Sequence, residues 1–88
     1  MKSLTAGKFW QLYGALLAEI QRAADKNFQL FKNDPHHRSL RFKPLGGDVW
    51  VARVNDDYRA VCRRRGVVAY WFWIGKHERY EALLKQIL

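Results

Sequence analysis

The longest apolar run of the chain, Val67 to Ile74, restricts the fold more than any other feature. It consists of apolar and aromatic residues on both sides of an extended strand, which is typical of a strand in the middle of a sheet. It is far shorter than the roughly 20 residues of a membrane-spanning helix. Because Gly66 directly precedes the run, we expect a tight hairpin with Arg65-Gly66 at its tip and a second strand before it.

The hairpin determines which side chains share a face of the sheet. With this tip, Cys62 lies across from Ala69 and Arg59 lies across from Phe72, and a three-residue turn at 55–57 connects to an earlier strand. One face is then apolar throughout, and we expect it to pack against the helices. Its members are Trp50, Ala52, Val54, Tyr58, Ala60, Cys62, Trp71 and Trp73.

The opposite face carries charge. There Arg53 falls directly across from Arg59, and like charges in a cross-strand pair destabilise a sheet unless a counter-charge lies close. Two explanations remain open: the arginines extend to solvent or pair with nearby aspartates, or the face binds phosphates and stacks bases. We expect this face to be open to solvent or to a partner. Its other members are Val49, Val51, Val61, Arg63, Tyr70 and Phe72.

Helical periodicity occupies the N-terminal third of the chain. Apolar residues recur at helical spacing from about Thr5, the expected N-cap, to Lys32. Asp34-Pro35 ends the pattern, because the residue before a proline is pushed out of the helical region. We expect a break near Ala18 that folds this segment into a hairpin of two helices.

The remaining segments complete an α+β fold. Strict alternation over residues 40–43 predicts a short strand that Pro44 ends, and the chain turns helical again after Lys76. We therefore expect two N-terminal helices packed on one face of a small antiparallel sheet, a short C-terminal helix, and one domain spanning residues 1–88. The apolar stripe of the last helix is formed by Tyr80, Leu83, Leu84 and Ile87.

Composition limits the partners and excludes several classes of site. The 88 residues carry a net charge of +8, and residues 36–88 hold eleven Lys/Arg against five Asp/Glu. We expect a polyanion or an acidic protein as partner. The single Cys62 and the His36-His37 pair lack the spacing of a zinc site, so we expect no metal and no cofactor. With no apolar segment of membrane length and no signal peptide, we expect a cytoplasmic location and no membrane partner.

Three segments carry a recognisable pattern. The helical hairpin leads into residues 33–43, Tyr58-Arg59 opens a strand after the turn, and the last strand closes in Gly75-Lys76-His77-Glu78-Arg79-Tyr80. Together they resemble the RelE/ParE superfamily of toxins from bacterial toxin–antitoxin pairs, over nearly the whole chain. The resemblance implies a compact α+β fold held inactive by an antitoxin that wraps it. RelE-type members cut messenger RNA in the ribosomal decoding site and ParE-type members poison DNA gyrase, so fold alone leaves the target open.

The resemblance also implies roles for individual residues. Tyr58-Arg59 matches the family's Tyr-Arg pair, whose arginine contacts the scissile phosphate in nucleases. His77 stands where nucleases have an Arg or a His. Tyr80 lies near the family's catalytic tyrosine, although it also belongs to the apolar stripe of the last helix.

One part of the family pattern is missing. RelE-type enzymes often carry two alternating lysines on the strand before the turn, and here Trp50 and Ala52 stand at about those places. Only Arg53 remains close by. This departure favours the ParE-type alternative.

RNA cleavage through the 2′-hydroxyl needs a base, an acid and cations that stabilise the charged phosphorane. Histidine exchanges protons near neutral pH, so His77 is the candidate acid or base, and arginines suit the phosphate. Such chemistry needs no metal. The candidate catalytic residues are Arg53, Arg59, His77 and Tyr80, and the candidate nucleic-acid contacts are Arg41, Lys43, Arg63, Tyr70, Phe72, Lys76 and Arg79.

These observations predict a toxin that cleaves messenger RNA on the ribosome without a metal and so blocks translation. Its expected partners are a cognate antitoxin and ribosome-bound messenger RNA. The first alternative is a ParE-like, non-enzymatic inhibitor of DNA gyrase, and the second is an inactive relative that only binds a partner. His77 favours the nuclease, because an inhibitor has no obvious need for a proton-transfer group at that corner.

Overall fold

The computed structural model describes residues 1–88 as three α-helices and five strands. The strands form one mixed sheet in the order β1-β5-β4-β3-β2, which confirms the predicted α+β class. None of the helices combines the length and apolar character needed to cross a membrane. Along the chain the elements are β1 (Lys2–Thr5), α1 (Gly7–Gly14), α2 (Ala18–Asn33), a 3₁₀ turn (Arg38–Leu40), β2 (Lys43–Gly46), β3 (Val49–Arg53), β4 (Tyr58–Arg65), β5 (Val68–Lys76) and α3 (His77–Ile87).

The first strand was not predicted, and it makes the sheet mixed instead of antiparallel. β1 runs parallel to β5, whereas all other neighbouring strands are antiparallel. Thr5, the expected helix N-cap, ends β1; its hydroxyl accepts from Trp10 Nε1 at 2.8 Å, and Ala6 occupies the N-cap position. β1 is short and mostly exposed, so it has no apolar alternation from which a strand can be recognised.

The predicted helical hairpin is confirmed, since α2 begins at Ala18 after a short break. The Tyr13 hydroxyl donates to Asp25 Oδ1 at 2.7 Å and so joins the two helices through a hydrogen bond as well as through apolar contacts. α2 ends directly before Asp34-Pro35, as predicted.

The two N-terminal helices cover one face of the sheet and form the main core there. Trp71 is buried and meets Phe28 and Phe31 edge-on, at ring-centroid distances of 5.3 and 5.2 Å. Such edge-to-face contacts add to the stabilisation gained from burying these large rings. The buried members of the main core are Phe9, Ala24, Phe31, Leu40, Phe42, Ala52, Val54, Ala60, Cys62, Ala69, Trp71 and Ile74.

The hairpin between β4 and β5 differs from prediction at its tip. Arg65 pairs with Val68, so the turn consists of Gly66-Val67 instead of Arg65-Gly66. Gly66 has a φ of 60°, a left-handed conformation that glycine adopts without steric strain. The pairing near the tip is thereby displaced by two residues from the predicted register, and a displacement of two keeps each side chain on its face.

A β-bulge then changes the faces for the rest of β5. β4 and β5 pair in step up to Trp71, but Val61 pairs with Trp73, which leaves Phe72 as an extra residue without a partner on β4. The extra residue carries Trp73 to the face opposite the N-terminal helices. The prediction that those helices cover Trp73 is therefore wrong, because Trp73 and Arg59 share a face.

α3 packs on this second face, so the face predicted to be open is partly covered. The rings of Trp73 and Tyr80 lie 6.4 Å apart there, and both side chains are buried. The bulge adds a large aromatic side chain to this side of the sheet, and its apolar surface is removed from water by the helix. The buried members of this second core are Val49, Val51, Val61, Trp73 and Tyr80.

Residues 40–43 do not form the predicted strand. Leu40 ends the 3₁₀ turn, Arg41 has a left-handed φ of 46°, and β2 begins only at Lys43. The alternation arises because Leu40 and Phe42 both enter the main core. Pro44, expected to end the strand, lies inside β2 and is tolerated because β2 is an edge strand.

The close approach of Trp73 to Gly75 predicts the effect of a single substitution. A Cβ on residue 75 would lie 2.8 Å from two carbons of the Trp73 ring. Gly75→Ala is therefore expected to lower the free energy of unfolding by about 1–3 kcal/mol, as measured by urea denaturation. Gly14→Ala is the control: a Cβ there meets nothing within 4 Å, so stability should stay level or rise by up to about 1 kcal/mol. Wild-type stability of Gly75→Ala would contradict this packing.

Candidate active site

Three of the candidate catalytic residues meet at the turn formed by residues 55–57, which joins β3 to β4. Arg53 ends β3 and lies directly across from Arg59 on β4, as predicted. His77 begins α3, and its backbone N–H donates to the carbonyl oxygen of Asp57 at 2.7 Å. The turn thus connects two arginines from the sheet to the N-terminal end of the last helix.

Arg59 is held by carbonyl groups of this turn. Its Nη1 donates to the carbonyl oxygens of Asn55 at 2.6 Å, Tyr58 at 2.9 Å and, more weakly, Asp56 at 3.4 Å. Its Nη2 and Nε have no acceptor within the chain. Carbonyl oxygens fix the guanidinium without neutralising it, so Arg59 keeps its full charge and two donor groups for an anion.

Arg53 has a different partner. Its Nη2 donates to the Asp56 carboxylate in an ion pair, and 89% of the Asp56 side chain is exposed. Of the two explanations for the like-charge pair, pairing with an aspartate is therefore confirmed for Arg53. An ion pair this exposed contributes little stability, so an incoming phosphate can compete with Asp56 for the guanidinium.

His77 is accessible at the edge of the site. Its side chain is 45% exposed, and its Nδ1 lies 3.5 Å from Glu81 Oε1, one helical turn further along α3. The imidazole ring also lies 5.6 Å from the ring of Tyr80. Glu81 thus favours an orientation in which Nδ1 faces the helix and Nε2 is the nitrogen open to a substrate.

Tyr80 combines a buried ring with an accessible hydroxyl group. The hydroxyl makes no hydrogen bond within the chain, and no buried side-chain oxygen lacks a partner, so it reaches the solvent. Burial raises the pKa of Tyr80, although the nearby charge of Arg59 lowers it in part. A raised pKa makes the phenolate scarce at neutral pH, so Tyr80 is suited to donate a hydrogen bond and not to act as a base.

Trp73 is the site residue that the sequence did not reveal. It lies beside Tyr80 on the face of Arg59 and forms the apolar base of the site. The only signal for it was Gly75, because glycine inside a strand often marks a bulge or a close contact. The apolar run itself gave no indication, since tryptophan suits either face.

Three of the predicted nucleic-acid contacts form a second group on the same face. Arg63 lies across from Tyr70, and its guanidinium lies 5.7 Å from the centre of the Phe72 ring. Asp48 accepts from Arg63 at 2.7 Å, and this hydrogen bond lowers the pKa of the Asp48 carboxyl group. Tyr70 is 44% exposed. We call Arg63, Tyr70 and Phe72 the aromatic patch.

The other predicted contacts are more scattered. Arg41 lies in the loop before β2, Lys43 on that edge strand, and Arg79 on the outside of α3; all three are exposed. Lys76 lines a cleft of about 400 Å³ beside the start of α2, and His77, Asp57 and Glu19 line the same cleft, so His77 lies between this cleft and the face of Tyr80. The structure contains no group of three His, Cys, Asp or Glu side chains placed to hold a metal ion.

β3 contributes one cation to the site face. Trp50 and Ala52, which stand where the family pattern has lysines, lie on the side of the main core. The positions of β3 on the site face are Val49, Val51 and Arg53, and both valines are buried in the second core.

Known proteins share both the fold and a sequence pattern with this chain. A family model described as the ParE-like toxin domain matches residues 18–82. The YoeB/ParE toxin from Agrobacterium tumefaciens has a TM-score of 0.69 at 20% identity, covering 88% of this chain and 99% of that one. YafQ from E. coli has a TM-score of 0.69 at 15% identity, with 90% and 96% covered. The isolated E. coli RelE toxin has a TM-score of 0.67 at 19% identity, with 99% and 98% covered. These structures show the fold; no curated protein matches the sequence.

The raised pKa of Tyr80 has a measurable consequence at alkaline pH. A group whose pKa is raised by folding stabilises the protein below its unfolded value, near 10, and this contribution is lost as pH rises through the folded value. Between pH 9 and 11 the wild-type protein is therefore expected to lose more stability than Tyr80→Phe, as measured by urea denaturation. Equal losses in the two proteins would show that burial does not disfavour the phenolate.

Proposed function

This chain belongs to the ParE-like toxin family of the RelE/ParE superfamily, and from that premise we propose that it is the toxin of a toxin–antitoxin pair that cleaves messenger RNA and blocks translation. The observation that carries the proposal is the state of Arg59. Its guanidinium is fixed by carbonyl oxygens, keeps its charge and unused donors, and lies close enough to Tyr80 for that charge to lower the pKa of Tyr80 in part. A preorganised cation is what a phosphorane-like transition state requires.

The remaining groups supply the proton transfers. In the proposed reaction Arg59 binds the scissile phosphate, and the N-terminus of α3 adds partial positive charge beside it. His77 makes one of the two proton transfers through Nε2, either taking the proton from the 2′-hydroxyl or giving one to the leaving 5′-oxygen, and a water molecule makes the other. Tyr80 donates a hydrogen bond from its accessible hydroxyl, and Arg53 leaves Asp56 to stabilise the developing charge. No metal takes part.

The aromatic patch suits the bases that flank the cut. Tyr70 and Phe72 offer ring faces for stacking, and Arg63 adds charge beside them. Arg41, Lys43, Lys76 and Arg79 are proposed as outer contacts to the phosphate backbone or to ribosomal RNA. In this proposal the toxin acts in the cytoplasm, where translating ribosomes are found.

A second function is favoured by a specific observation. The site face of β3 presents Val49 and Val51 and holds no lysine, and the matching family model is the ParE-like one. Both facts suit an inhibitor of DNA gyrase that binds its target without cleaving RNA. An inactive relative that only binds its partner is the remaining alternative.

The nuclease proposal predicts the effects of two substitutions in a translating extract. Arg59→Ala should remove roughly 2–4 kcal/mol of transition-state stabilisation. His77→Ala should slow messenger RNA cleavage by a factor of about 100 to 10,000. Arg22→Ala removes the same charge as Arg59→Ala from the exposed side of α2, and cleavage should stay near the wild-type rate.

Two further experiments test the role of Tyr80 and distinguish the nuclease from the gyrase inhibitor. Tyr80→Phe should slow cleavage strongly if its hydroxyl takes part, and should change little if only its ring matters. Correctly folded Arg59→Ala and His77→Ala proteins that stay fully toxic, with DNA breaks accumulating in the cells, would exclude the nuclease and support the gyrase inhibitor.

The net charge of +8 predicts how the antitoxin binds. An acidic or amphipathic segment of the antitoxin is expected to cover the face of Arg59 and the aromatic patch. Raising the salt concentration from about 0.05 M to about 0.5 M is expected to weaken the complex, because the added ions shorten the Debye length and screen these charges. An affinity that stays constant over this range, measured by calorimetry, would argue against an electrostatic interface.

A further inference from the structure

Each residue of the turn at 55–57 holds a different cation or helix end of the candidate site. The carbonyl oxygen of Asn55 accepts from Arg59, and the carboxylate of Asp56 accepts from Arg53. The carbonyl oxygen of Asp57 accepts from the backbone N–H of His77. The conformation of this one turn therefore determines where three candidate catalytic groups lie relative to each other.

The side chain of Asn55 fixes that conformation. Its Oδ1 accepts from the backbone N–H groups of Asp57 and Tyr58, each at 2.9 Å. A side chain that bonds to the backbone two and three residues ahead locks a short turn in a single shape. The exposed side chains of Asp56 and Asp57 make no such bond to the backbone of the turn.

The end of β3 is anchored separately, from the N-terminal helices. Asn27 of α2 donates through Nδ2 to the carbonyl oxygens of Arg53 at 2.9 Å and Val54 at 2.8 Å. The end of β3 and Val54 are thus tied to the main core, and the backbone N–H groups of Val54 and Asn55 close the turn by donating to the carbonyl oxygen of Tyr58. Within the turn, Asn55 is the one residue whose side chain bonds to the turn's own backbone. A change at Asn55 is therefore expected to alter the turn and leave the strands in place.

We propose that Asn55 is the positioning residue of the site, which sets Arg59 and His77 in register with each other through the backbone of the turn. The expected effect of Asn55 on catalysis rests on the nuclease function proposed above. Its effect on the conformation of the turn rests on the hydrogen bonds alone. Asn55 itself touches no substrate. Its loss releases the carbonyl oxygens that hold Arg59 and the one that holds the first residue of α3.

The expected kinetic signature separates positioning from binding. Most of the basic side chains proposed to attract RNA lie outside the turn, at Arg41, Lys43, Arg63 and Arg79, so KM should stay near the wild-type value in Asn55→Ala. The preorganised donors act mainly in the transition state, so kcat should fall about tenfold to a hundredfold, the loss that a displacement of about 1 Å produces.

The test is a graded series at one position, measured on the full chain. Asn55→Asp keeps an oxygen that accepts both N–H groups, Asn55→Ser keeps a shorter acceptor, and Asn55→Ala keeps none. We expect kcat to fall in that order, with Asp near the wild type. Asn33→Ala, at the exposed C-terminal end of α2, is the matched control and should leave kcat unchanged. If Asn55→Ala does not fold, the comparison of Ser with Asp decides.

Nuclear magnetic resonance supplies a readout that does not need activity. In the wild type the guanidinium N–H signals of Arg59 and the amide of His77 should be protected from solvent exchange, and Asn55→Ala should lose both protections while Asn55→Asp keeps them. Unchanged protection or unchanged kcat in a folded Asn55→Ala overturns the inference. A wild-type protein that cleaves no RNA would remove the proposed function instead, and the exchange data would still decide the role of Asn55.

Discussion

The extra residue at Phe72 is the constraint on which the rest of the structure depends. Without it, Trp71 and Trp73 would lie on the same side of β5, and the second face would lose the tryptophan that packs against Tyr80. With it, each face receives one tryptophan and each becomes the base of a core. The last helix has an apolar surface to pack on for this reason, and the candidate site lies where that helix begins.

The arginines of the sheet are held in two ways. The chain has twice as many basic as acidic residues, and although Arg53, Arg63 and Arg65 pair with aspartates, two other arginines are held by groups that leave their charge intact. Arg59 is held by carbonyl oxygens, and Arg64 lies over the Trp50 ring at 4.5 Å from its centre on the opposite face. Cation–π contacts and dipoles orient a guanidinium without cancelling its field. The protein thereby keeps an ordered positive surface in the absence of an anionic partner.

Sequence reasoning succeeded where a short turn or a strict helical or strand periodicity limits the possible structures. The turn at 55–57 fixed the pairing of β3 with β4, and with it the opposition of Arg53 to Arg59. The break near Ala18 and the stop at Asp34 were equally local. These features depend on residues close together in the chain, whose geometry the backbone alone restricts.

Prediction failed where contacts between residues far apart in the sequence determine the structure. β1 is a strand only because β5 lies beside it, and residues 40–43 alternate because of the core and not because of a sheet. The bulge at Phe72 has no sequence signature within an apolar run, so the predicted face of Trp73 was wrong. The predicted site therefore lacked the tryptophan that forms its apolar base. The hydrogen bonds that hold Arg59 also escaped, because backbone carbonyl oxygens carry no sequence signature.

The contact between Trp73 and Gly75 links two positions in evolution. A side chain at position 75 is accommodated without strain only if the ring at position 73 becomes smaller, and a smaller ring leaves a space beneath Tyr80. Substitutions at these positions should therefore be non-additive. In a lineage descended from this chain, the pair is expected to co-vary, and a change in one is expected to be followed by repacking of α3.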